Sequence, residues 1–506
     1  MGTPRAPAPV KYLIGLLSAE RGLLECAAFL AENIHNSDGH SEALKTIVPL
    51  FLKRGEVDLA AELANSIEDP FTRDKLLIQV AEKCAAVDDD EYAMQLAEAI
   101  EDDGLRGEAF ETIALQKSGR GELEKADEMA NDLAHPEYVY ADIAVRHAAM
   151  SDNANSEMFL TRIEFPAAKV AALEAITDLQ FNSGEIEKAL SSLTAARSLA
   201  ADIEHQQERL RLLSEIGNHF IRIGSSEEAI RTFEIVRDNA AELPSGRRGF
   251  FLVSASLGFL QAGSMDLADA TLDLVSDLTQ MASALVGFSK ELARNGETDE
   301  ALESLEEAYS IIRTQRDAEV RDSRARFTVQ RMIAVQFAQM GKGDRAIECA
   351  QEIGDSNENA TALGEIAQLL ATDNSEMSEQ AIQGIPNDSD RLFALIGVSD
   401  FLRRSGNEER SLETLSEATM LADSISQPPV HASVLGAIAA RYAERGLTED
   451  ASSILHQALE VIFRIRDESS RSVAIANVSD VFESAGIEPS ETDTEILRSI
   501  VGRVEW

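Results

Sequence analysis

A chain of 506 residues with 89 Asp and Glu against 46 Lys and Arg carries a net charge of −43 at neutral pH, and 44% of it is hydrophobic. That much apolar material excludes disorder. No run approaches the roughly 18 apolar residues of a membrane-spanning helix, and so acidic a chain is excluded from binding nucleic acid through its phosphates, which rests on Lys and Arg.

Taken in chain order, residues 1–9 (MGTPRAPAP) hold three prolines and read as a flexible N-terminus. The apolar run Tyr12 to Leu17 is too short for a signal sequence and runs into Glu20-Arg21, so it is expected to be a helix and the protein cytoplasmic. From there one frame recurs. A turn residue stands at 22, 55, 88, 121, 153, 184, 224, 263, 296, 341, 374, 406, 446 and 486. Eleven of these are Gly, and the others are Asp88, Asn153 and Asn374, the types that best tolerate the left-handed backbone ending a helix.

Eight residues before the turn stands a large, mostly β-branched residue, such as Ile14, Ile47, Val80, Ile216, Ile333 or Val478, usually followed by a small one such as Gly15, Ala81 or Gly217. Eleven before it stands Leu44, Leu77, Leu213 or its equivalent. These offsets share one helix face and predict the first helix of each unit. Five residues after the turn, ten units have Ala, from Ala27 and Ala60 to Ala346 and Ala451. A small residue there lets a second, antiparallel helix approach closely.

The order Leu, then Ile with a small residue, turn Gly, and Ala resembles the tetratricopeptide repeat. In one unit it is carried by Leu44, Ile47, Val48, Phe51, Gly55 and Ala60. The family's closing Pro is mostly absent and its bulky aromatic is usually Leu. The resemblance implies an all-α protein, a right-handed α-solenoid of about fourteen helical hairpins running continuously over residues 10–500, with 501–506 as a C-terminal tail. Units come in two lengths. Short ones place Ile34, Ile67, Ile100, Leu133, Val275 or Ile353 twelve residues after the turn, and long ones place Ala196, Ala308, Ala418 or Ala458 there. The second helices of long units are expected to run about two turns further.

Cations are few and skewed. There are 11 Lys and 35 Arg, with no Lys after Lys342. High acid with little Lys resembles the proteins of salt-loving archaea, in which molar salt screens such charge over about 3 Å. Fifteen residues before the turn recur Arg73, Arg106, Lys169, Arg209, Arg248, Arg326, Arg391 and Arg471, with His40 and His431 in two more units. A basic lane for an acidic ligand is one reading. The favoured reading is structural, with Arg73 meeting Asp69 and Arg106 meeting Asp102 or Asp103 to tie neighbouring hairpins.

No catalytic or cofactor motif appears. Gly341-Lys342-Gly343 lacks the strand and the Ser or Thr of a phosphate loop. Asp88-Asp89-Asp90-Glu91 lacks the alternating ligands of a calcium loop and reads as a solvated turn. His35 and His40 have no third metal ligand in the sequence nearby, and Cys26, Cys84 and Cys349 read as small buried side chains. The expectation is therefore no enzyme, no metal and no cofactor.

The resemblance implies that first helices line a groove. Its centre would present Arg211, Asn218, Arg222, Lys290, Arg294, Arg331 and Arg403, with Phe250 as apolar surface, next to the locally basic stretch Arg313 to Arg331. Ser214 stands where the family's carboxylate clamp would have a cation. The groove is expected to hold a protein partner, an acidic or carboxylate-bearing segment bound by paired Arg hydrogen bonds. The alternative is that these Arg offset acids of their own helices. A non-catalytic protein-interaction scaffold or adaptor follows. The rivals are a regulatory or sensor array of a signalling or transcription assembly, and a chaperone-like accessory subunit of an enzyme complex. The sequence leaves oligomeric state open. It leaves Trp506 either exposed or an interface anchor, a role for which Trp is enriched.

Overall fold

The protein is described here by a computed structural model over residues 22–314 and 323–503. Four sequence readings lie wholly or partly outside the described residues: the N-terminal residues 1–9, the helix with Ile14 and Gly15, the middle of the Arg313–Arg331 stretch, and Trp506. Among the described residues there are 27 helices and no strands. They alternate as antiparallel pairs, the helical-repeat solenoid that the frame predicts.

The turns show why the frame exists. Gly55 has φ 80°, donates from its N–H to the Leu52 carbonyl at 3.1 Å, and is followed by Glu56, which donates to the Phe51 carbonyl at 2.9 Å. This is a Schellman cap, which satisfies carbonyls that the helix leaves open. It recurs at Gly121, Gly184, Gly224, Gly263, Gly296, Gly341, Gly406, Gly446 and Gly486, and Asp88 adopts it at φ 68°. Two expected turns differ. Near 153 the left-handed residue is Ser151, at φ 62°, and Asn153 already lies in the next helix. Near 374 no left-handed residue occurs. Asn374 is instead an N-cap whose side chain accepts from Met377 N–H. Beside Asn153 it is Asp152 whose side chain accepts from Asn155 N–H, so at both places a short polar side chain starts a helix rather than ending one.

The predicted core faces are buried. Leu44, Ile47, Val48 and Phe51 are fully covered, as are all ten Ala five residues after the turn. First helices are nearly constant, 17 residues in Pro70–Ala86 and in Gln206–Arg222. Second helices fall into two classes, 9 residues in Val57–Asn65 and 16 in Ile186–Ala201. The difference is two turns, and Ala196, Ala308, Ala418 and Ala458 are buried within the longer class.

The recurrent Arg is structural by a route the sequence did not suggest. Arg106, Arg209, Arg391 and Arg471 each donate to the carbonyl six residues earlier, of Ile100, Ile203, Ile385 and Ile465, at 3.1, 2.7, 3.0 and 2.8 Å. Each Ile closes the preceding hairpin, so the guanidinium caps the open end of a second helix. Arg73 pairs with Asp74 and Glu101 at 2.9 and 3.4 Å, not with Asp69, whose carboxylate caps Thr72 N–H. Arg106 meets Asp103.

The chain forms two compact units: the described residues of Met1–Ala134 with those of Leu412–Trp506, and His135–Ser411. In the first, both ends of the chain pack together. Helix Leu23–Glu32 is covered by Ser37–Arg54, Glu468–Ser484 and Glu491–Val501, so two of these three helices come from the far end of the sequence. Ser472 Oγ donates to the Ala27 carbonyl at 2.7 Å and Ser469 Oγ to the Gly39 carbonyl at 2.9 Å. Arg54 bridges Glu25, at 2.8 Å, and Glu483, while Lys53 meets Asp480.

Candidate functional site

In His135–Ser411 the first helices Gln206–Arg222, Ser245–Gln261, Leu278–Asn295, Ser323–Gln339, Ser356–Leu370 and Asp388–Arg404 pack in succession. Each buries the stripe that fixes the hairpin and presents its opposite face. The predicted site residues lie on five of these helices.

Two of the Arg answer acids of their own helix, as the alternative reading holds. Arg211 lies 2.8 Å from Glu215 and 3.7 Å from Glu208, and Arg294 lies 2.5 Å from Glu291. Two others link adjacent first helices. Arg222 reaches Asp178 of Pro166–Asn182, and Arg331 is held by Glu358 at 2.8 Å and Glu365 at 2.6 Å, both of Ser356–Leu370. Lys290 and Asn218 are exposed, and Lys290 makes no ion pair among the described residues. Phe250 is 67% exposed, set edge-on to Phe251 at 5.4 Å. Arg403 sits in the last turn of Asp388–Arg404. Ser214 is buried, its hydroxyl donating to the Leu210 carbonyl at 2.8 Å, so it presents nothing to a ligand.

Sequence reasoning missed two groups on this face. One is a titratable cluster. Arg222 donates to His219 Nδ1 at 2.6 Å, which leaves the proton of the neutral ring on Nε2, facing Glu174 Oε1 at 3.8 Å. Burial, with the Glu215 and Asp178 carboxylates beside it, pushes Glu174 up to about 7, against the pull of Arg211 and Arg222. Burial and Arg222 hold His219 below its ordinary value. The other group is a pair of cavities of about 400 Å³ each that share Asn357 and Thr361. Arg324, Phe327, Arg331 and Glu358 line one, and Glu365, Gln368, Asp390 and Phe393 the other. The signal for them was Phe393, a large aromatic on the polar face of its helix, 49% exposed.

The chemistry of the remaining groups is quiet. Burial pushes Cys26 and Cys349 up to about 12 and Cys84 to about 11, so their thiols stay protonated. Asp88, Asp90 and Glu122 are the one trio of carboxylates among the described residues close enough for a cation. Arg120 already lies between them, at 3.4, 2.9 and 2.8 Å, and Lys117 meets Asp90. Within the acidic run Asp88, Asp89 and Glu91 are exposed, as in a solvated turn, while Asp90 is tied into the next hairpin. Among the described residues no helix is long and apolar enough to cross a membrane.

No family profile and no curated protein matches the chain. Among solved structures it is similar to Ton1535 from Thermococcus onnurineus, at 18% identity over 69% of this chain and 97% of that one, TM-score 0.25. It is similar to a signal transduction ATPase with numerous domains and a tetratricopeptide repeat sensor from Pyrococcus horikoshii, at 12% identity over 72% and 64%, TM-score 0.27. The yeast Tom70 matches at 12% identity over 78% and 98%, TM-score 0.25.

Proposed function

We propose that this helical-repeat chain is a non-catalytic scaffold that holds a segment of a partner protein across the first helices of His135–Ser411. The observation that carries the reading is the cavity pair around Asn357 and Thr361, where exposed Phe393 stands beside amide, hydroxyl and ion-paired groups. An apolar anchor with a few oriented polar groups is what recognition of a protein segment needs.

The partner segment is acidic in this reading. Arg211 holds an exposed pair within its own helix, worth about 0–1 kcal/mol, so its exchange for a partner's carboxylate costs little, and the guanidinium of Arg294 is exposed beyond its pair with the largely covered Glu291. Lys290 is open, and Asn218 offers an amide to a peptide backbone. Phe250 and Arg403 extend the same succession of helices. Arg222 and Arg331 stay engaged and fix their helices. The acid-rich, Lys-poor composition fits a salt-rich cytoplasm, such as that of salt-loving archaea.

The test is capture of partners at the host's own salt concentration by the wild type, by the triple variant Arg211→Glu, Lys290→Glu, Arg294→Glu, and by Phe393→Ala. A stoichiometric partner lost from both variants supports the reading. A partner retained by both moves the site off this face, and capture of none by the wild type overturns the scaffold.

A further inference from the structure

We infer that the junction between the two ends of the chain is an exchangeable interface, and that the partner it fits is a second copy of this chain. The junction lies in the unit formed by Met1–Ala134 and Leu412–Trp506 and is independent of the partner face proposed above.

The junction follows the ordinary grammar of this array. Lys53, two residues before its turn, meets Asp480, six before its own. Within the array, Arg222 and Asp178 occupy the same two positions and make the same bridge. Helix Glu468–Ser484 therefore stands to Ser37–Arg54 as Pro166–Asn182 stands to Gln206–Arg222. Contacts between successive hairpins are normally fixed by chain continuity. Here the two sides are joined only through more than 400 intervening residues, since Ser472 and Ala27 are 445 apart.

Each side is supported without the other. Leu23–Glu32 packs on Ser37–Arg54, and Glu468–Ser484 packs on Pro428–Glu444 and Thr448–Phe463. If they part, each keeps its packing on these neighbours and both uncover apolar surface. On one side lies a helix that buries Leu23, Leu24, Cys26, Ala27, Ala28 and Leu30; on the other lies one that buries Ile475, Val478 and Phe482. Uncovered apolar faces of this kind seek a partner. A second copy offers the complementary edge, with Ser472 and Ser469 placed for the same backbone carbonyls and Glu483 and Asp480 for Arg54 and Lys53. Reciprocal exchange closes both junctions of a pair of chains and adds no new kind of contact. Tethering favours the closed single chain when protein is dilute, and exchange gains as concentration rises.

Charge complementation tests this on the full chain. Arg54→Glu places a third carboxylate beside Glu25 and Glu483. Glu483→Arg places two guanidinium groups together. A pair exchanged between these variants has one wild-type junction and one in which the two substituted side chains face each other, restoring the ion pair with its signs reversed. Each variant and their mixture are incubated at high concentration in mild denaturant, returned to buffer and sized by light scattering. Pulsed alkylation with mass mapping follows Cys26, whose helix the junction covers, with Cys84 and Cys349 as internal references. The expected result is at least tenfold faster alkylation of Cys26 in each variant alone. In the mixture, a dimer holding both variants should form with Cys26 protected again. Mixed variants that stay monomeric overturn the proposal, as does a Cys26 that neither substitution exposes. If either variant fails to fold, Lys53→Glu with Asp480→Lys, on the exposed rim, makes the same comparison.

Discussion

The ring of Phe233 fills the space that a side chain on Gly217 would need. A Cβ built on Gly217 falls 2.5 Å from Phe233 Cζ, and one on Gly258, in the next first helix, falls 2.3 Å from the same ring. Phe233 is fully buried, so it has no free direction in which to withdraw. Gly217→Ala and Gly258→Ala are each expected to cost about 1–3 kcal/mol by overpacking. Phe233→Leu should recover part of that loss in either background, as read from urea midpoints. Equal stability of Gly217→Ala and wild type would mean that the two helices separate without cost.

Ser151 carries a left-handed backbone, at φ 62°, in a position that ten other hairpins give to Gly. A non-Gly residue pays about 1 kcal/mol there. Ser151→Gly is therefore expected to stabilise the protein by up to about 1 kcal/mol, and Gly224→Ala to destabilise it by a similar amount. Thermal unfolding of the two variants should move in opposite directions.

The Arg caps make a second stability prediction. Arg209 and Arg471 each donate to a carbonyl at the open end of a second helix. Arg209→Met and Arg471→Met, which keep most of the aliphatic bulk, should each cost about 1.5–3 kcal/mol, the range for hydrogen bonds to charged groups. Partner capture by the folded variants should be unchanged. A loss of binding without loss of stability would return these residues to the basic-lane reading.

Glu174 makes stability depend on pH. Its ordinary value is 4.5 and in the folded protein it is pushed up to about 7, chiefly by burial. A group that binds its proton more tightly folded than unfolded stabilises the fold fully below pH 4.5, and that contribution is lost as pH rises through about 7. The shift corresponds to roughly 3 kcal/mol at most. Asp178, Glu215, Arg211, Arg222 and His219 surround it and set its size. Urea unfolding at about pH 5.5 and about pH 8, on either side of that titration, should show a smaller difference for Glu174→Gln than for the wild type. An unchanged difference would place the titration elsewhere.

Much of the fold was legible because one constraint repeats. Turn Gly, Ala five residues on, and an apolar residue eight before each serve a separate physical need, and their coincidence fixes the hairpin. Asn374 escaped because Asn caps the start of a helix as well as its end, and Asn153 because it follows the N-cap Asp152, so residue type alone cannot choose. The recurrent Arg was visible, but its acceptor was not. A main-chain carbonyl has no letter in the sequence, and the neighbouring acids drew attention instead. Of the candidate site, the place of Arg211, Arg294 and Lys290 on first helices was legible from the frame, yet the cavity at Asn357 and Thr361 depends on how two hairpins meet. The pairing of Lys53 with Asp480 was beyond reach for the same reason, since no local pattern joins residues so far apart.

The two lengths of second helix carry one more consequence. The classes, 8 to 11 and 15 to 17 residues long, are centred about seven residues apart, as in 9 against 16. Seven residues of α-helix return to within about 20° of the starting direction. A hairpin lengthened by this quantum keeps its inward stripe in phase, and the closing Ile still points inward with Arg six residues behind it. A gain of about two or five residues would turn the stripe to the opposite side and strand the guanidinium. Length in these hairpins is therefore set in whole turns, and the cap travels with the end it serves.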